Sequence, residues 1–514
     1  MIRRCIQPTS WFRHRAIGPV VVVGLVAGIG VSPAAGADTP PVSPVSQPSG
    51  PQYFETFAPD GTISMRPGGP DHAPPTLPLP ESLRERAAGG PTVIPMHMNG
   101  ASANRIDLVF VGDGYTAAEQ PQFAAAAERA WQNLMSYEPY KTYQNFFNAE
   151  RVDIVSPVSG ISADPTQDVK KTTPLGMHFW CHGIDRLLCV NDKAASAYSN
   201  LVPGRNRVIA IANTTTYGGA GGSITTLSGH NVASGQVLVH EMGHTIGGLG
   251  DEYDVPYDTA SGAQSEFVNV SDQAAAQMTA ASSKWARWIG ARSGDGSTVG
   301  AYEGANYYKK GFYRPSADSE MRTLGQPFNP PSIEQLIKTF YVSRIGQGSI
   351  DPIDTQTPAP TSSGISDRNT TVSVSTVPLV GASYQISWDI GGTVVPGATS
   401  DSLDLRTAPL KQNVWNQVTV SVKDTTPQMR DEAFRTKEMT KTRSWRVWGS
   451  PAKGSNNPPS TANPAYGFVG TGDWNGDGKQ DLVARDNASG SLYLYPGTGT
   501  ADYTTQPRVL IGSG

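Results

Sequence analysis

Apolar and polar positions divide the chain into stretches of different texture. Arg105–Gly112 (RIDLVFVG) is almost continuously apolar and runs into Gly112-Asp113-Gly114, the pattern of a buried strand closed by a turn. Val152–Pro157 and Arg207–Ala212 (RVIAIA) read as further buried strands. Ala117–Tyr137 is alanine-rich with apolar residues at helical spacing, and Gly235–Gly247 predicts a second helix. Strands alternating with helices over 101–345 predict an α/β or α+β domain. Gly218–Gly222 is a glycine loop. Ser223–Leu227 after it reads either as a strand with an unpaired edge, able to pair with an extended peptide, or as a plain connection.

The flanking segments differ. Residues 38–100 are rich in Pro, Gly, Ser and Thr and read as a linker or propeptide-like segment, with no regular structure except a short strand near Tyr53–Phe57. A second Pro/Ser/Thr-rich linker spans 346–371. Residues 372–449 switch to period two (TVSVSTV, YQISWDI, QVTVSVKD, SWRVW), which predicts an immunoglobulin-like β-sandwich with Trp388 in its core. Another linker, 450–464, leads to a β tail at 465–514. The expected fold class is multidomain: an α+β domain, a β-sandwich and a small β-repeat tail.

The N-terminus reads as an address. Arg3, Arg4, Arg13 and Arg15 precede the apolar stretch Ala16–Val31 and the small-residue site Ala35-Gly36-Ala37. That is a secretory signal, residues 1–37, with cleavage expected after Ala37 and a secreted, extracellular mature chain. Losing those arginines makes a chain of formal charge −4 more acidic still, which leaves no basic footprint for nucleic acid. No apolar run long enough to cross a membrane follows, so stable membrane insertion is not expected.

Export bears on the cysteines. Cys5 leaves with the signal, and Cys181 and Cys189 remain as an even pair in an oxidising compartment. A disulfide over so short a loop would contribute about 2–3 kcal/mol in the chain-entropy model. A small zinc site of His178, Cys181, His182 and Cys189 is the rival reading, and free thiols are a third.

His240-Glu241-Met242-Gly243-His244 is an HExxH. On a helix, positions four apart share a face, so both imidazoles can reach one zinc ion. Glu241, one step round, can take a proton from a water that the metal activates. Chance gives such a motif in roughly one chain in several hundred of this composition, and the apolar lead-in Gln236–Val239 supports the helix. A catalytic zinc needs a third protein ligand and an open position. No histidine follows His244, and Gly250 cannot ligate, so a downstream ligand must be a carboxylate. Gly247-Gly248 lets the chain turn back, which favours Asp251. Glu252 and a later acid such as Glu266 compete with it, and His230 is the upstream alternative.

His240–Tyr253 (HEMGHTIGGLGDEY) resembles the active-site signature of the bacterial IgA-peptidase family of zinc metallopeptidases, HExxHxxxGxxDEY. Asp107–Tyr115, Arg186–Asn191, Tyr217–Gly222 and Tyr313–Leu324 are similar to segments of that family in the same order. The resemblance covers about 100–345. It implies an HExxH helix packed on a mixed sheet, Asp251 at the position of the family's acidic ligand, and a methionine turn at Met321 beneath the zinc. Met321 as ordinary core is the plainer alternative.

Asp473, Asn475, Asp477, Lys479 (through its carbonyl) and Asp481 place oxygens at alternate positions around Gly478, the hard-ligand spacing that Ca²⁺ prefers. This loop is similar to those of FG-GAP/VCBS-type β repeats, and the bland alternative is an empty polar turn. The chain therefore reads as a secreted zinc-dependent endopeptidase acting on proteins or peptides, with calcium in its tail. The rival is an extracellular binding or adhesion protein whose metallopeptidase domain is vestigial.

Overall fold

A computed structural model describes residues 52–79, 90–204, 207–260, 265–342, 349–449, 466–498 and 508–512. The expected signal peptide and the 450–464 linker lie outside these residues. The chain divides into two compact units. One comprises the residues up to Gln356 with Val374–Ser387 and Val420–Arg443; the other comprises Thr357–Ser373, Trp388–Thr419 and the residues from Ser444 on.

The first unit opens with an antiparallel hairpin of β1 (Tyr53–Phe57) and β2 (Ile63–Pro67). A six-stranded mixed sheet follows, built from β3 (Thr92–His97), β4 (Ile106–Asp113), β5 (Phe147–Asp153), β6 (Arg207–Ala212), β7 (Gly219–Ala220) and β8 (Thr225–Ser228). Their order is β3-β5-β4-β6-β8-β7. The inner strands are parallel, and β3 and β7 lie antiparallel at the edges. Helices α1 (Gln120–Met135) and α2 (Asp192–Ser199) precede β5 and β6, and α3 (Ser234–Thr245) leaves β8.

Every residue of β4 is buried. Leu108 and Phe110 belong to an apolar cluster with Phe123 and Leu134 of α1 and Leu238, Val239 and Met242 of α3. Val109 and Val111 belong to another, with Ala194, Ala195 and Tyr198 of α2. Both faces of the sheet are covered by helices, which is why consecutive positions are apolar. Fully burying one such large side chain contributes about 1.5–3 kcal/mol.

After α3 come a small sheet of β9 (Tyr257–Thr259), β10 (Tyr302–Ala305) and β11 (Tyr308–Arg314), and helices α4 (Ala275–Ala281) and α5 (Pro330–Tyr341). Leu336, Ile337 and Phe340 of α5 join the first cluster, as do Val377, Leu379, Met429 and Met439. Asp424 accepts hydrogen bonds from the hydroxyls of Tyr143 (2.6 Å) and Tyr341 (2.9 Å).

Residues 353–448 contribute to both units. They form one sheet of β12 (Ile353–Thr357), β13 (Thr371–Thr376) and β16 (Ser402–Asp404), and another of β15 (Thr393–Val394), β14 (Tyr384–Ile390), β17 (Trp415–Asp424) and β18 (Thr440–Trp448) in that order. Burial alternates along β17, as a half-buried strand requires. Trp388 is fully buried and stacks on Trp445 at 5.7 Å. The tail is an antiparallel sheet of β19 (Tyr466–Gly472), β20 (Asp481–Asp486), β21 (Leu492–Tyr495) and β22 (Val509–Gly512).

The structure departs from the pattern reading at several places, among them the strand read at Val152–Pro157, which is β5 and ends at Asp153. Residues 38–100 hold β2 and β3 as well as β1. Pro95 masks β3, and it is tolerated because β3 is an edge strand with a register shift between Pro95 and His97. The 346–371 linker contains β12. A helix, α6 (Glu432–Glu438), interrupts the period-two region, capped by Asp431, which accepts the Phe434 N–H at 3.1 Å. Finally, Ser223–Leu227 has no free edge: β8 is paired by β6 on one side and β7 on the other. Among the described residues no helix is long and apolar enough to cross a membrane.

Candidate metal centre

Helix α3 is buried over almost its whole length. It ends where Gly248 takes a left-handed φ of +62°, a conformation that favours glycine. The Gly248 N–H bonds the His244 carbonyl at 2.9 Å, and the Leu249 N–H bonds that of Gly243 at 3.1 Å. The chain thus folds back over the helix end. The Leu249 carbonyl accepts from His244 Nδ1 at 2.8 Å, and the Glu320 carbonyl from His240 Nδ1 at 2.9 Å.

Those carbonyls can only accept, so both Nδ1 atoms carry hydrogen and each ring, when neutral, presents its Nε2 lone pair. The two Nε2 atoms face each other at 3.0 Å. Asp251 Oδ1 lies 2.8 Å from His244 Nε2 and 3.3 Å from His240 Nε2, and Glu55 Oε1 lies 3.2 Å from His240 Nε2. The ligand atoms of Glu55, His240, His244 and Asp251 all fall within 4.8 Å of one another. Neither Glu55 Oε1 nor Asp251 Oδ1 has a hydrogen-bond partner, although both are buried. Lone pairs and anionic oxygens crowded together in this way call for a cation, and two imidazoles with carboxylate oxygen suit zinc. Burial alone would lower the His240 pKa, but the carboxylates of Glu55 and Asp251 outweigh it and hold it well above the ordinary value. Burial would raise Asp251, yet His244 and His240 hold it well below the usual carboxylate range. The first shift favours positive charge at this point, and the second keeps the Asp251 carboxylate ionised.

Glu241 is fully buried beside these rings. The glycine loop comes up to it so closely that a Cβ on Gly221 would collide with both carboxylate oxygens. Met321 is fully buried under the helix, and a Cβ on Gly243, between the two histidines, would come 2.6 Å from its Sδ.

Glu252 points elsewhere. Its carboxylate accepts from Asn269 Nδ2 (2.8 Å), Asn329 Nδ2 (2.9 and 3.0 Å) and Ser319 Oγ (2.7 Å), and its N–H bonds the Met321 carbonyl at 2.7 Å. It ties the turn at Met321 to the loop that carries Asp251. Tyr307 donates its hydroxyl to Asp251 Oδ2 at 2.5 Å, orienting that carboxylate. Glu266 is exposed, and His230 Nε2 pairs with Asn213 Oδ1 at 3.0 Å; neither belongs to the cluster.

A disulfide joins Cys181 and Cys189. His178 Nε2 lies 3.2 Å from Asp71 and His182 Nδ1 2.9 Å from the Gly69 carbonyl, so the rival zinc reading has no free thiolates to use. In the tail loop, Asp473 accepts the N–H groups of Gly476, Asp477 and Gly478, Asp477 accepts that of Lys479, and Asn475 Oδ1 that of Asp477. Asp481 accepts those of Trp474, Asn475 and Gly497.

Sequence reasoning missed Glu55, because it sits in a segment whose composition reads as linker. The available signal was an acid in the middle of an aromatic strand, Tyr53-Phe54-Glu55-Thr56-Phe57.

No curated protein matches the chain. Residues 94–294 and 291–340 match the family model of IgA Peptidase M64, just under half of the chain. That segment holds His240, Glu241, His244, Asp251 and Met321, and the match supports the IgA-peptidase family, with a peptidase activity on protein substrates.

Proposed function

We propose that the chain is a secreted zinc-dependent endopeptidase that uses Glu241 as general base. The observation that carries this reading is the convergence of His240 Nε2, His244 Nε2 and Asp251 Oδ1, with both Nδ1 atoms engaged by carbonyls. Zinc bound there supplies Lewis-acid activation of water and of the scissile carbonyl. Glu241 takes the proton of the attacking water and delivers it to the leaving amine. The Gly221 backbone confines that carboxylate, and Tyr307 and the two carbonyls fix the ligands.

The test is metal analysis and casein cleavage with the purified protein and Glu241→Gln. The variant should keep one zinc per chain and lose about 10²–10⁴-fold in rate, the usual worth of a general base. Near-wild-type turnover by the variant sinks the mechanism. A wild type that holds zinc without cleaving any protein favours a vestigial domain in a binding protein.

Two further parts of the reading rest on sequence alone. Secretion rests on residues 1–37 and is tested by locating the protein and sequencing its N-terminus: a chain found only inside the cell would refute it, and exported protein with Met1 intact would refute cleavage after Ala37. Structural calcium in the Asp473–Asp481 loop rests on the alternate oxygens. Calcium that leaves the tail's melting unchanged, in wild type and in Asp477→Ala alike, removes it.

A further inference from the structure

The hairpin ahead of the sheet carries a residue that the proposed mechanism does not use. In β1, Tyr53, Glu55 and Phe57 share one face of the strand. Phe57 meets the His240 ring edge-on, at 5.7 Å between centroids, so this face is pressed onto the metal helix. Phe57 and Ile63 are buried with Tyr217, Val237, Tyr253 and Leu324. The hairpin turn is fastened to the segment that follows Met321: Leu324 N–H bonds the Gly61 carbonyl at 2.9 Å, and Thr62 bridges Thr323. Behind β1, Phe54 stacks on His182 at 4.3 Å, next to the disulfide.

Held from both sides, the hairpin fixes Glu55 beside the two histidines. Its Oε1 accepts no hydrogen bond and lies 3.2 Å from the lone-pair nitrogen of His240. A carboxylate oxygen placed there needs a cation to compensate it. Resting on the metalloenzyme reading above, we infer that Glu55 is a fourth protein ligand of the metal, and that the β1–β2 hairpin closes the position a substrate must use. Four protein donors are the number of a closed structural zinc site, whereas a catalytic site has three and one open position. The chain in this structure is therefore latent. Substrate must displace Glu55, and whatever frees the hairpin activates the enzyme.

The test uses the full chain loaded with cobalt(II), compared with Glu55→Ala and the same-shaped Glu55→Gln. Both variants should bind one cobalt per chain, lose it to a chelator sooner than wild type, and show a shifted visible absorption band as water replaces the carboxylate. Casein cleavage by the zinc forms should rise at least about tenfold if Glu55 occupies the metal for about nine-tenths of the time or more. Melting curves check that the variants are folded, and Glu55→Gln serves if Ala loosens the hairpin. Unchanged bands and chelator kinetics in both variants overturn the inference while leaving the peptidase reading intact. A wild type that takes up no cobalt, like His240→Ala as control, overturns both.

Discussion

His240 and His244 present their Nε2 atoms to each other across 3.0 Å, in tautomers that leave no hydrogen between them. Without a cation, the folded state must protonate a ring or spread the cluster. A metal that binds only the folded chain at a hundred times its Kd contributes about 2.7 kcal/mol. Each kcal/mol shifts the melting temperature of a domain of a few hundred residues by roughly 2–4 °C. The first unit should therefore melt several degrees higher in zinc than in chelator. In His240→Ala the difference should vanish. Equal melting of the wild type under the two conditions would show that the cluster binds no metal.

Gly221 provides a test of how the general base is confined. A Cβ at this position meets both oxygens of Glu241, so Gly221→Ala must push the carboxylate aside or move the loop. Misplacing a reacting group by about 1 Å can cost about 10²-fold in rate. Gly221 touches none of His240, His244 and Asp251 among its closest neighbours, so zinc content should stay at wild-type level. The expected pattern is full metal, a kcat lowered by roughly two orders of magnitude and an unchanged fold. Loss of zinc would mean that the loop supports the ligands instead of the base.

The parts of this molecule legible from sequence are those fixed by local chemistry. β4 and β6 declare themselves because strands covered on both faces carry apolar residues at consecutive positions, LVFV and VIAIA. The histidine pair is legible because four residues make about one helical turn. Glu55 is not legible, since its approach to His240 depends on a hairpin docked far from it in sequence. The core roles of Met429 and Met439 are hidden for the same reason: they complete the cluster around α5 from a region whose period two suggests an independent sandwich. β7 escapes a reading by pattern because two residues, Gly219 and Ala220, have no periodicity to show.

The entry to α1 carries a pH-dependent contribution. Glu119 accepts the Thr116 N–H at 2.9 Å, the Thr116 hydroxyl at 2.8 Å and the Ser159 hydroxyl at 2.7 Å. Slight burial would raise its pKa, but these donors outweigh it and hold the carboxyl down at about 2, against an ordinary 4.5. A lowered folded-state pKa means stability that is fully present above the unfolded value and lost as the pH falls from 4.5 towards 2. Glu119→Ala should cost about 1 kcal/mol at neutral pH, as for other cap residues. The gap in melting temperature should narrow below about pH 4.5. A gap of equal size at pH 3 and pH 7 would mean that the charge on Glu119 contributes nothing.

Asp251 and Glu252 are adjacent, both buried and both acidic, yet their surroundings assign them opposite tasks. Asp251 Oδ1 has the two imidazoles and no donor, whereas the hydrogen bonds to the Glu252 carboxylate come from neutral donors: Asn269, Asn329 and Ser319. Those donors hold Glu252 against burial, which pushes its carboxyl up. Asp251→Ala should therefore lose stoichiometric zinc on dialysis while melting in chelator within a few degrees of wild type. Glu252→Ala leaves buried donors unsatisfied, at about 1–3 kcal/mol for each group. It should melt well below wild type but keep its zinc at temperatures where it is folded. Its activity should fall less than its stability, because the turn at Met321 is loosened while the ligand set is intact. Metal analysis and melting of the two variants side by side decide the matter. If Glu252→Ala alone loses zinc, the third ligand is one residue further along than the geometry places it. If Asp251→Ala also retains zinc, the metal is held by a set other than His240, His244 and Asp251.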